Sequence, residues 1–380
     1  MQSRRRVRRA RTSRWSTLLA GACAGTLLLA GCGAQATGDA DGSRREAEPV
    51  AADIDCVGQG KVRGSGSTAQ QNAMEHWIDE YQRACRGTRI AYNPLGSGAG
   101  VAQFQRRATA FGGTDGVLSD QEIKWSRDTC QGGRAIHLPM VGGPIAIGFN
   151  LPGVDHLVLD APTLAKIFDA RITTWDDPAV KKLNPGTELP SLPIRPMHRS
   201  DDSGTTQNFQ DYLAGAAPGA WPHPVDKSWQ GKGGGAGSGS SRIASEVSSS
   251  PGTIGYFELS FAASRKITTV SIGTGAGEPV APTTETASAG IGAAEIVGEG
   301  NDKTLAFDYD APKAGAYPIV LMTYEIVCDK GNQAASLPAL KSFLSYTAGA
   351  EGQKHLAALH YAPLPAAVAK EVRRAVRTLS

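Results

Sequence analysis

Three stretches of this chain share one design, in which a short strand-like run ends, small and hydroxyl residues turn the chain, and a helical pattern begins. They are Gly64–Ala69 (GSGSTA), Gly96–Gly100 (GSGAG) and Ser203–Thr206 (SGTT). Repeated junctions of this kind predict an α/β layered fold. A helix start also presents unpaired backbone N–H groups and partial positive charge, while glycine admits a close approach and hydroxyls add donors. Together the three junctions predict a binding site for an anion.

Helical patterns follow these junctions. A helix is predicted from Thr68 to Arg86 because apolar residues recur there at helical spacing, at Met74, Trp77, Ile78, Tyr81 and Cys85. Further helices are predicted at Gly100–Thr109, after a capping box at Ser119–Glu122, at Ala161–Asp169, near Asp177–Leu183 and in the last forty residues. The glycine-rich insert Gly231–Ser241 is interpreted as a mobile loop.

Two strand-like runs are candidates for carrying the chain between two domains. One is Ala135–Asn150, which Gly142–Pro144 is expected to interrupt, and the other is Tyr317–Val327. A length of 380 residues predicts two domains, and 41% apolar with 20% charged residues is ordinary for a soluble globular protein.

The stretch Arg199–Phe209 (RSDDSGTTQNF) narrows the choice of anion. Arg199 supplies a planar fork of donors that suits an oxyanion. An ionised aspartate only accepts hydrogen bonds, so it repels an anion that has no proton to donate. Phosphate carries such a proton at neutral pH, whereas sulfate does not. The pattern therefore favours a small tetrahedral oxyanion that carries a proton.

The N-terminus has the pattern of an export signal. Its first fourteen residues contain seven arginines and no acid, and an apolar run of sixteen residues follows, Trp15–Ala30. That run is short for a membrane span and typical of a signal peptide. Leu29–Cys32 (LAGC) resembles the bacterial lipobox, so residues 1–31 are predicted to be a lipoprotein signal peptide and Cys32 the lipidated residue. A plain secretory signal cut nearby is the alternative.

Charge beyond the signal argues against two classes of function. Removing seven arginines from 39 basic residues leaves 32 against 36 acidic residues, a net charge of −4. A protein that binds nucleic acid or a membrane surface through a basic patch would require a basic surface on its folded part. Residues 32–55 are small, polar and charged, which predicts a flexible tether.

Four cysteines remain after Cys23 and Cys32 are set aside. An even number in an exported chain favours two disulfides, although four cysteines allow three connectivities. Cys56 and Cys85 flank one predicted strand and helix, so their pairing is favoured and leaves Cys130 with Cys328. A zinc site is the alternative, but the sequence contains no CxxC or HxxxH spacing.

Six motifs together resemble the periplasmic-type phosphate-binding proteins (PstS type) that deliver phosphate to an ABC importer. They are GSGSTA (64–69), GSGAGVAQF (96–104), AFGGTDGVLSD (110–120), WDDPAVKKLNPG (175–186), RSDDSGTT (199–206) and PGTIGY (251–256). The resemblance covers Lys61–Leu379. It implies a type II periplasmic-binding-protein fold of two lobes, each a mixed β-sheet flanked by helices, joined by two crossing strands.

The resemblance also implies a ligand set and no metal or cofactor. The phosphate-binding residues would be Thr68, Ala69 through its amide, Ser97, Asp115, Arg199, Ser203, Gly204 and Thr205. Asp115 matches the family's proton-accepting aspartate, and Asp201 matches the acid that orients the arginine. Asp202 stands where some relatives have a small residue, and it is interpreted as an exposed helix N-cap or as a residue that tunes the charge of the site.

On this basis the chain is expected to be a lipid-anchored phosphate carrier on the extracytoplasmic face of the cell membrane. Lobe I would comprise residues 56–143 plus 320–380, and lobe II residues 144–319, with a hinge at Gly142–Gly148 and Pro318–Tyr324. Its partners would be inorganic phosphate and the permease subunits of the importer, with no nucleic acid, and the protein would act as a monomer.

Three alternatives explain less of the sequence. A secreted phosphatase would need a nucleophile elbow, a P-loop or a metal-ligand cluster, and the sequence has none; His198 is the only histidine near the candidate site. Sulfate, molybdate and tungstate carry no proton near neutral pH, so Asp115 disfavours them. A purely structural lipoprotein would leave the three junctions unexplained. The chain is therefore not expected to be an enzyme.

Overall fold

Two strands at the centre of the fold, Ala135–Phe149 and Val320–Cys328, are buried along their whole length. They belong to a computed structural model that describes residues 54–309 and 313–380. Its strands are β1 (Gly60–Gly66), β2 (Thr88–Pro94), β3 (Phe111–Thr114), β4 (Ala135–Phe149), β5 (Val158–Asp160), β6 (Arg195–Arg199), β7 (Gly235–Gly237), β8 (Thr253–Glu258), β9 (Thr268–Thr269), β10 (Ser271–Gly273), β11 (Glu295–Ile296), β12 (Leu305–Ala306) and β13 (Val320–Cys328).

Helices alternate with these strands, as the sequence predicts. They are α1 (Gln71–Ala84), α2 (Ser97–Gln105), α3 (Asp120–Thr129), α4 (Ala161–Phe168), α5 (Pro178–Leu183), α6 (Gly204–Ala216), α7 (Ser240–Ser249), α8 (Leu259–Arg265), α9 (Thr284–Ile291), α10 (Leu337–Thr347), α11 (Ala350–Lys354) and α12 (Ala366–Thr378), with a 3₁₀ turn at Ala357–Leu359. None of the helices in the described ranges is long and apolar enough to cross a membrane. The predicted signal peptide, Cys32 and nearly all of the predicted tether lie outside the described residues.

One mixed sheet organises the molecule. Its strand order is β2-β1-β3-β13-β4-β8-β6-β7, and β9 also pairs with β4. Strand β4 pairs with β13 from Ala135 to Pro144 and with β8 from Ile145 to Phe149, so this single strand joins the two halves of the sheet. The expected interruption of β4 at residues 142–144 is wrong. Gly142 exchanges two backbone hydrogen bonds with Ala362, which keeps this part of the strand extended.

Helix faces follow the predicted pattern, whereas two helix starts do not. Helix α1 buries Met74, Trp77 and Tyr81 as its apolar spacing predicts, but it begins at Gln71 rather than Thr68. Helix α2 begins at Ser97 rather than at the predicted Gly100, because the N–H of Gly100 already donates to the carbonyl of Gly96 in a helical turn. The capping box that opens α3 is confirmed.

The glycine-rich insert is more ordered than its composition suggests. Gly235–Gly237 form strand β7 beside β6, and Ser240 begins helix α7. The interpretation of residues 231–241 as a loop is therefore wrong for the second half of the insert. Strand β7 forms there because the parallel neighbour β6 supplies backbone partners that a local pattern does not reveal.

Both disulfides join the predicted partners, Cys56 with Cys85 and Cys130 with Cys328. Replacing Cys130 and Cys328 together by alanine is expected to lower the free energy of unfolding by about 2 to 5 kcal/mol. The loss should exceed that for the Cys56–Cys85 pair, because the sequence separation is 198 residues rather than 29 and longer loops lose more entropy on closure. Urea unfolding of both double variants measures this difference, and a larger loss for the Cys56–Cys85 pair would contradict it.

Candidate functional site

Four helix starts meet at one buried place in the structure. Three are the predicted junctions, and the fourth is the start of α7. The Thr68 hydroxyl lies 3.1 Å from the Ser240 hydroxyl, 172 residues away in the chain. The backbone N–H of Gly204 donates to Ser97 Oγ at 3.1 Å. The fold thus gathers the N-terminal ends of α1, α2, α6 and α7, whose dipoles all favour a negative charge.

Arg199 ends strand β6 and is only 2% exposed. Its Nε and Nη2 donate to the two carboxylate oxygens of Asp201, and its Nη1 lies 3.0 Å from Ser240 Oγ. Burial alone would lower the pKa of Arg199, but Asp201 raises it. Burial would likewise raise the pKa of Asp201, and the guanidinium lowers it. Both groups are therefore charged, and Asp201 has the geometry expected of a residue that orients the arginine.

Asp115 follows strand β3 and is 3% exposed. One carboxylate oxygen accepts a hydrogen bond from Thr323 Oγ1 at 2.9 Å, and the other accepts one from Ser97 Oγ at 3.3 Å. Burial raises the pKa of Asp115 to about 6, and hydrogen bonds from Ser67 and Thr323 oppose the rise. The carboxyl is thus a buried acceptor whose pKa burial brings closer to neutral pH.

Two glycines allow these groups to approach one another. Gly96 precedes α2 with φ of 99°, and a Cβ there would lie 2.4 Å from a carboxylate oxygen of Asp201. At Gly204, a Cβ would lie 2.6 Å from the Cβ of Asp115. A side chain at either position would push the carboxylates out of the site.

All eight residues predicted to bind the ligand are buried, and five have been described above. Of the other three, Ser203 caps α6 by accepting from the N–H of Thr206. Thr205 Oγ1 donates to Glu258 Oε1 at 2.7 Å, and the amide of Ala69 donates to Ser67 Oγ at 2.9 Å. These last two donors therefore have partners within the protein.

Sequence reasoning missed three residues of this site, namely Ser240, Glu258 and Thr323, and it placed Ser67 in a predicted junction without giving it a role. One had a usable signal, because GSGSS at 237–241 repeats the GSGST that precedes α1. Another prediction needs correction: Asp202 is exposed, but Ser203 rather than Asp202 is the N-cap of α6. The backbone carbonyl of Asp202 instead accepts a hydrogen bond from the N–H of Gly98.

The donors gathered here are suited to holding a small anion. Among residues 54–309 and 313–380, no group of three histidine, cysteine or acidic side chains is placed to hold a metal ion. His198 stacks on Trp229 with ring centroids 5.1 Å apart, and its Nδ1 lies 3.0 Å from the carbonyl of Arg199. Its ring is thus engaged with Trp229 and a backbone carbonyl rather than with the carboxylates or hydroxyls of the site.

Comparisons with known proteins agree with this geometry. Residues 43–351 match the family model described as "PBP superfamily domain". The phosphate-binding protein PstS 3 of Mycobacterium leprae is 43% identical over 342 residues, which are 89% of this chain and 91% of that protein. The phosphate-binding protein PstS 2 of Mycobacterium tuberculosis is 42% identical over 362 residues, 94% of this chain and 96% of that protein.

Solved structures give the same fold. A high-affinity periplasmic phosphate-binding protein (PfluDING), solved with phosphate, superposes with a TM-score of 0.69 at 22% identity, covering 83% of this chain and 93% of that one. A protein from Clostridium perfringens, described as a phosphate ABC transporter substrate-binding protein, superposes with a TM-score of 0.58 at 19% identity. The match covers 80% of this chain and 100% of that one. The predicted type II fold is confirmed. With its match to the family model and its identity to the mycobacterial proteins, this chain belongs to the PBP superfamily and, within it, to the PstS family of phosphate-binding proteins.

Proposed function

We propose that this protein captures inorganic phosphate in the buried site and delivers it to the permease subunits of an ABC importer. The observation that carries the proposal is the placement of Asp115, a buried hydrogen-bond acceptor, beside Arg199 and the starts of four helices. The names of the mycobacterial relatives support phosphate as the ligand, and the description of the Clostridium protein supports an ABC importer as the partner.

The charges of the site and its buried proton acceptor favour the binding of monohydrogen phosphate over other oxyanions. Arg199 is already paired with Asp201, so most of the stabilisation must come from hydroxyl and backbone dipoles. Asp115 then accepts the proton of the ligand. Sulfate would set lone pairs against that carboxylate and leave a buried acceptor unsatisfied, which costs about 1 to 3 kcal/mol before charge repulsion is added.

The site is proposed to close by movement of the two lobes given above, 56–143 plus 320–380 and 144–319, about the hinge in β4 and at Pro318–Tyr324. One ion pair across that division supports closure. Lys227 Nζ lies 2.9 Å from Glu122 Oε1 and 3.2 Å from Glu122 Oε2, and both side chains are largely buried. Burial alone would raise the pKa of Glu122, but Lys227 and Ser119 hold it below its usual value. The ion pair therefore favours the closed form.

Breaking this ion pair should speed the release of phosphate. Lys227→Met is expected to weaken phosphate binding about fivefold, which corresponds to about 1 kcal/mol for such a pair. Stopped-flow measurement of the dissociation rate tests this, because closure acts mainly on release. Arg242→Met is the matched control, since Arg242 pairs with Glu246 within the exposed face of α7. Equal dissociation rates in the two variants would contradict the proposed closure.

Binding without catalysis is the proposed role, with a lipid on Cys32 holding the monomeric protein on the extracytoplasmic face of the membrane. The lipobox-like LAGC sequence supports the anchor. The pairing of Arg199 with Asp201 and the engagement of His198 with Trp229 support binding over catalysis.

Isothermal titration of the purified protein with phosphate, and separately with sulfate, tests the proposed function. Phosphate carried through purification must first be removed by unfolding and refolding. We expect heat with phosphate and none with sulfate at the same concentration. No heat with either anion would exclude phosphate capture, and a phosphoester panel would then test the phosphatase alternative.

A further inference from the structure

A second acidic residue, Glu325, is buried near the site and has no role in the mechanism described so far. It lies on β13, opposite Gly113 of β3 and Leu138 of β4, and is 1% exposed. Neither of its carboxyl oxygens has a hydrogen-bond partner. A buried carboxylate without partners is so unfavourable that such groups usually hold a proton instead.

The charges around Glu325 agree with a neutral state. Within the described residues, none of the ion pairs includes Glu325. Burial raises the pKa of Glu325 well above its usual value, an interaction with the Gln70 side chain opposes the rise, and the like charge of Asp115, just after β3, adds to it. Tyr92 of β2 is the other titratable group that faces it, and burial together with Glu325 raises the pKa of that phenol. The phenol therefore keeps its proton.

Gln70 supplies the missing partner. Its Nε2 donates to Tyr92 Oη at 3.0 Å, and Tyr92 Oη donates to the carbonyl of Ser67 at 2.9 Å. The Oε1 of Gln70 is buried without a partner, and this amide also interacts with Glu325. An unpartnered acceptor beside a carboxyl needs a donor, and the protonated form of that carboxyl provides one.

The orientation of the amide is fixed by the same contacts. Were Gln70 turned over, Tyr92 would have to donate to its oxygen, and the carbonyl of Ser67 would lose its donor. With a proton on Glu325, each group in the series has a partner. This series, from Glu325 through Gln70 and Tyr92 to Ser67, is called the Glu325 chain below.

We propose that Glu325 is a positioning residue for phosphate binding: as a neutral carboxylic acid it donates to Gln70 Oε1, and the Glu325 chain holds Ser67–Ala69 at the site without adding a negative charge beside Asp115. The inference rests on the proposed function. Ser67 is the link to the ligand, because its Oγ accepts from the amide of Ala69 and its hydroxyl also interacts with Asp115.

The protonation state can be measured without any ligand. An infrared difference spectrum between the wild-type protein and Glu325→Gln, with ¹³C-labelled glutamate as assignment, should show the carbonyl band of a protonated carboxylic acid at pH 7. Absence of that band, or its assignment to another residue, would overturn the proposal.

The pH dependence of stability tests whether Glu325 is protonated. A carboxyl whose pKa is raised on folding contributes fully to stability below its unfolded pKa, near 4.5. That contribution is lost as the pH rises toward the pKa of the folded state. Glutamine has no proton to lose. The melting temperature of Glu325→Gln should therefore exceed that of the wild-type protein by about 2 °C or more at pH 8. The difference should shrink toward pH 5, and a less stable variant at pH 8 would contradict the proposal.

Phosphate affinity tests the positioning role. Glu325→Gln retains a donor for Gln70 and is expected to bind phosphate within about threefold of the wild-type protein, whereas Glu325→Leu should bind about tenfold more weakly because an acceptor is left unsatisfied. Tyr92→Phe interrupts the next link and should weaken binding similarly.

A double-mutant cycle separates the Glu325 chain from a general packing effect. If the chain transmits the effect, Glu325→Leu should have little further influence in the Tyr92→Phe background. Additive losses, or wild-type affinity in both single variants, would overturn the positioning role. The infrared and melting measurements need no phosphate, so they decide the protonation of Glu325 even if the titration of the wild-type protein excludes phosphate capture.

Discussion

Asp115→Asn is expected to remove most of the discrimination between phosphate and sulfate. A site built around one obligatory hydrogen bond rejects the wrong partner by roughly 10⁴- to 10⁵-fold. The asparagine oxygen still accepts the proton of phosphate, while its NH₂ group can turn to donate to sulfate. We therefore expect phosphate affinity to fall modestly and the preference over sulfate to drop below about a hundredfold. Competition titrations of both anions against the variant measure this change.

Asp202→Asn is the matched control for that experiment. It removes the same charge close to Arg199, but Asp202 is exposed and only its backbone carbonyl makes a described hydrogen bond, to Gly98. Its discrimination should stay within about threefold of the wild-type value, since exposed charges have weak effects. Equal losses in the two variants would show that total negative charge, rather than the buried acceptor, sets selectivity.

Asp115→Asn is also expected to have a pH-dependent effect on the stability of the ligand-free protein. The pKa of Asp115 is raised by burial from 3.8 to about 6, so ionising this carboxyl opposes folding. Its contribution to stability is complete below pH 3.8 and declines as the pH rises through about 6. At pH 7 the asparagine variant should be more stable by up to about 3 kcal/mol. A phosphate-free unfolding series from pH 4 to pH 8 tests the sign.

Arg199→Met is expected to abolish measurable phosphate binding and to destabilise the fold. The guanidinium is the only cation in direct contact with Ser240 and Asp201 at the described site. Its loss leaves Asp201 as an uncompensated charge in a largely buried position, which costs about 3 to 5 kcal/mol. Calorimetry for binding and urea unfolding for stability measure the two effects separately.

A second variant keeps the result interpretable. Adding Asp201→Asn to Arg199→Met removes the uncompensated charge, so it should recover much of the lost stability without restoring phosphate binding. Recovery of binding in the double variant would mean that Arg199 acts only on the fold. Circular dichroism of both variants confirms that each is folded before titration.

Local features of the structure followed from local chemistry. Ser119 and Glu122 form the capping box that the sequence predicts, and the apolar face of α1 is buried at Met74, Trp77 and Tyr81. These signals are readable because a cap or a helix face depends on residues within four positions of each other. The first residue of a helix was predicted less accurately. Helix α2 begins where the carbonyl of Gly96 accepts a hydrogen bond, and several neighbouring positions were equally suitable as the first residue.

The insert at residues 231–241 marks the limit of such reasoning. Its glycine and serine content is typical of a linker, and nothing within the segment predicts strand β7. That strand forms because β6 lies alongside, and Ser240 enters the site because Thr68 and Arg199 converge on it from elsewhere in the chain.

The sequence by itself determined the family, the alternation of strands and helices, the disulfide partners and the three junctions that line the site. Only the tertiary structure decided that Ser240 and Thr323 join them and that Glu325 lies buried behind them without a charge partner. Thr323 contacts a residue 208 positions away. A hydrogen bond across that distance depends on how the sheet assembles, and burial, which sets the protonation of Asp115 and Glu325, exists only once the chain has folded.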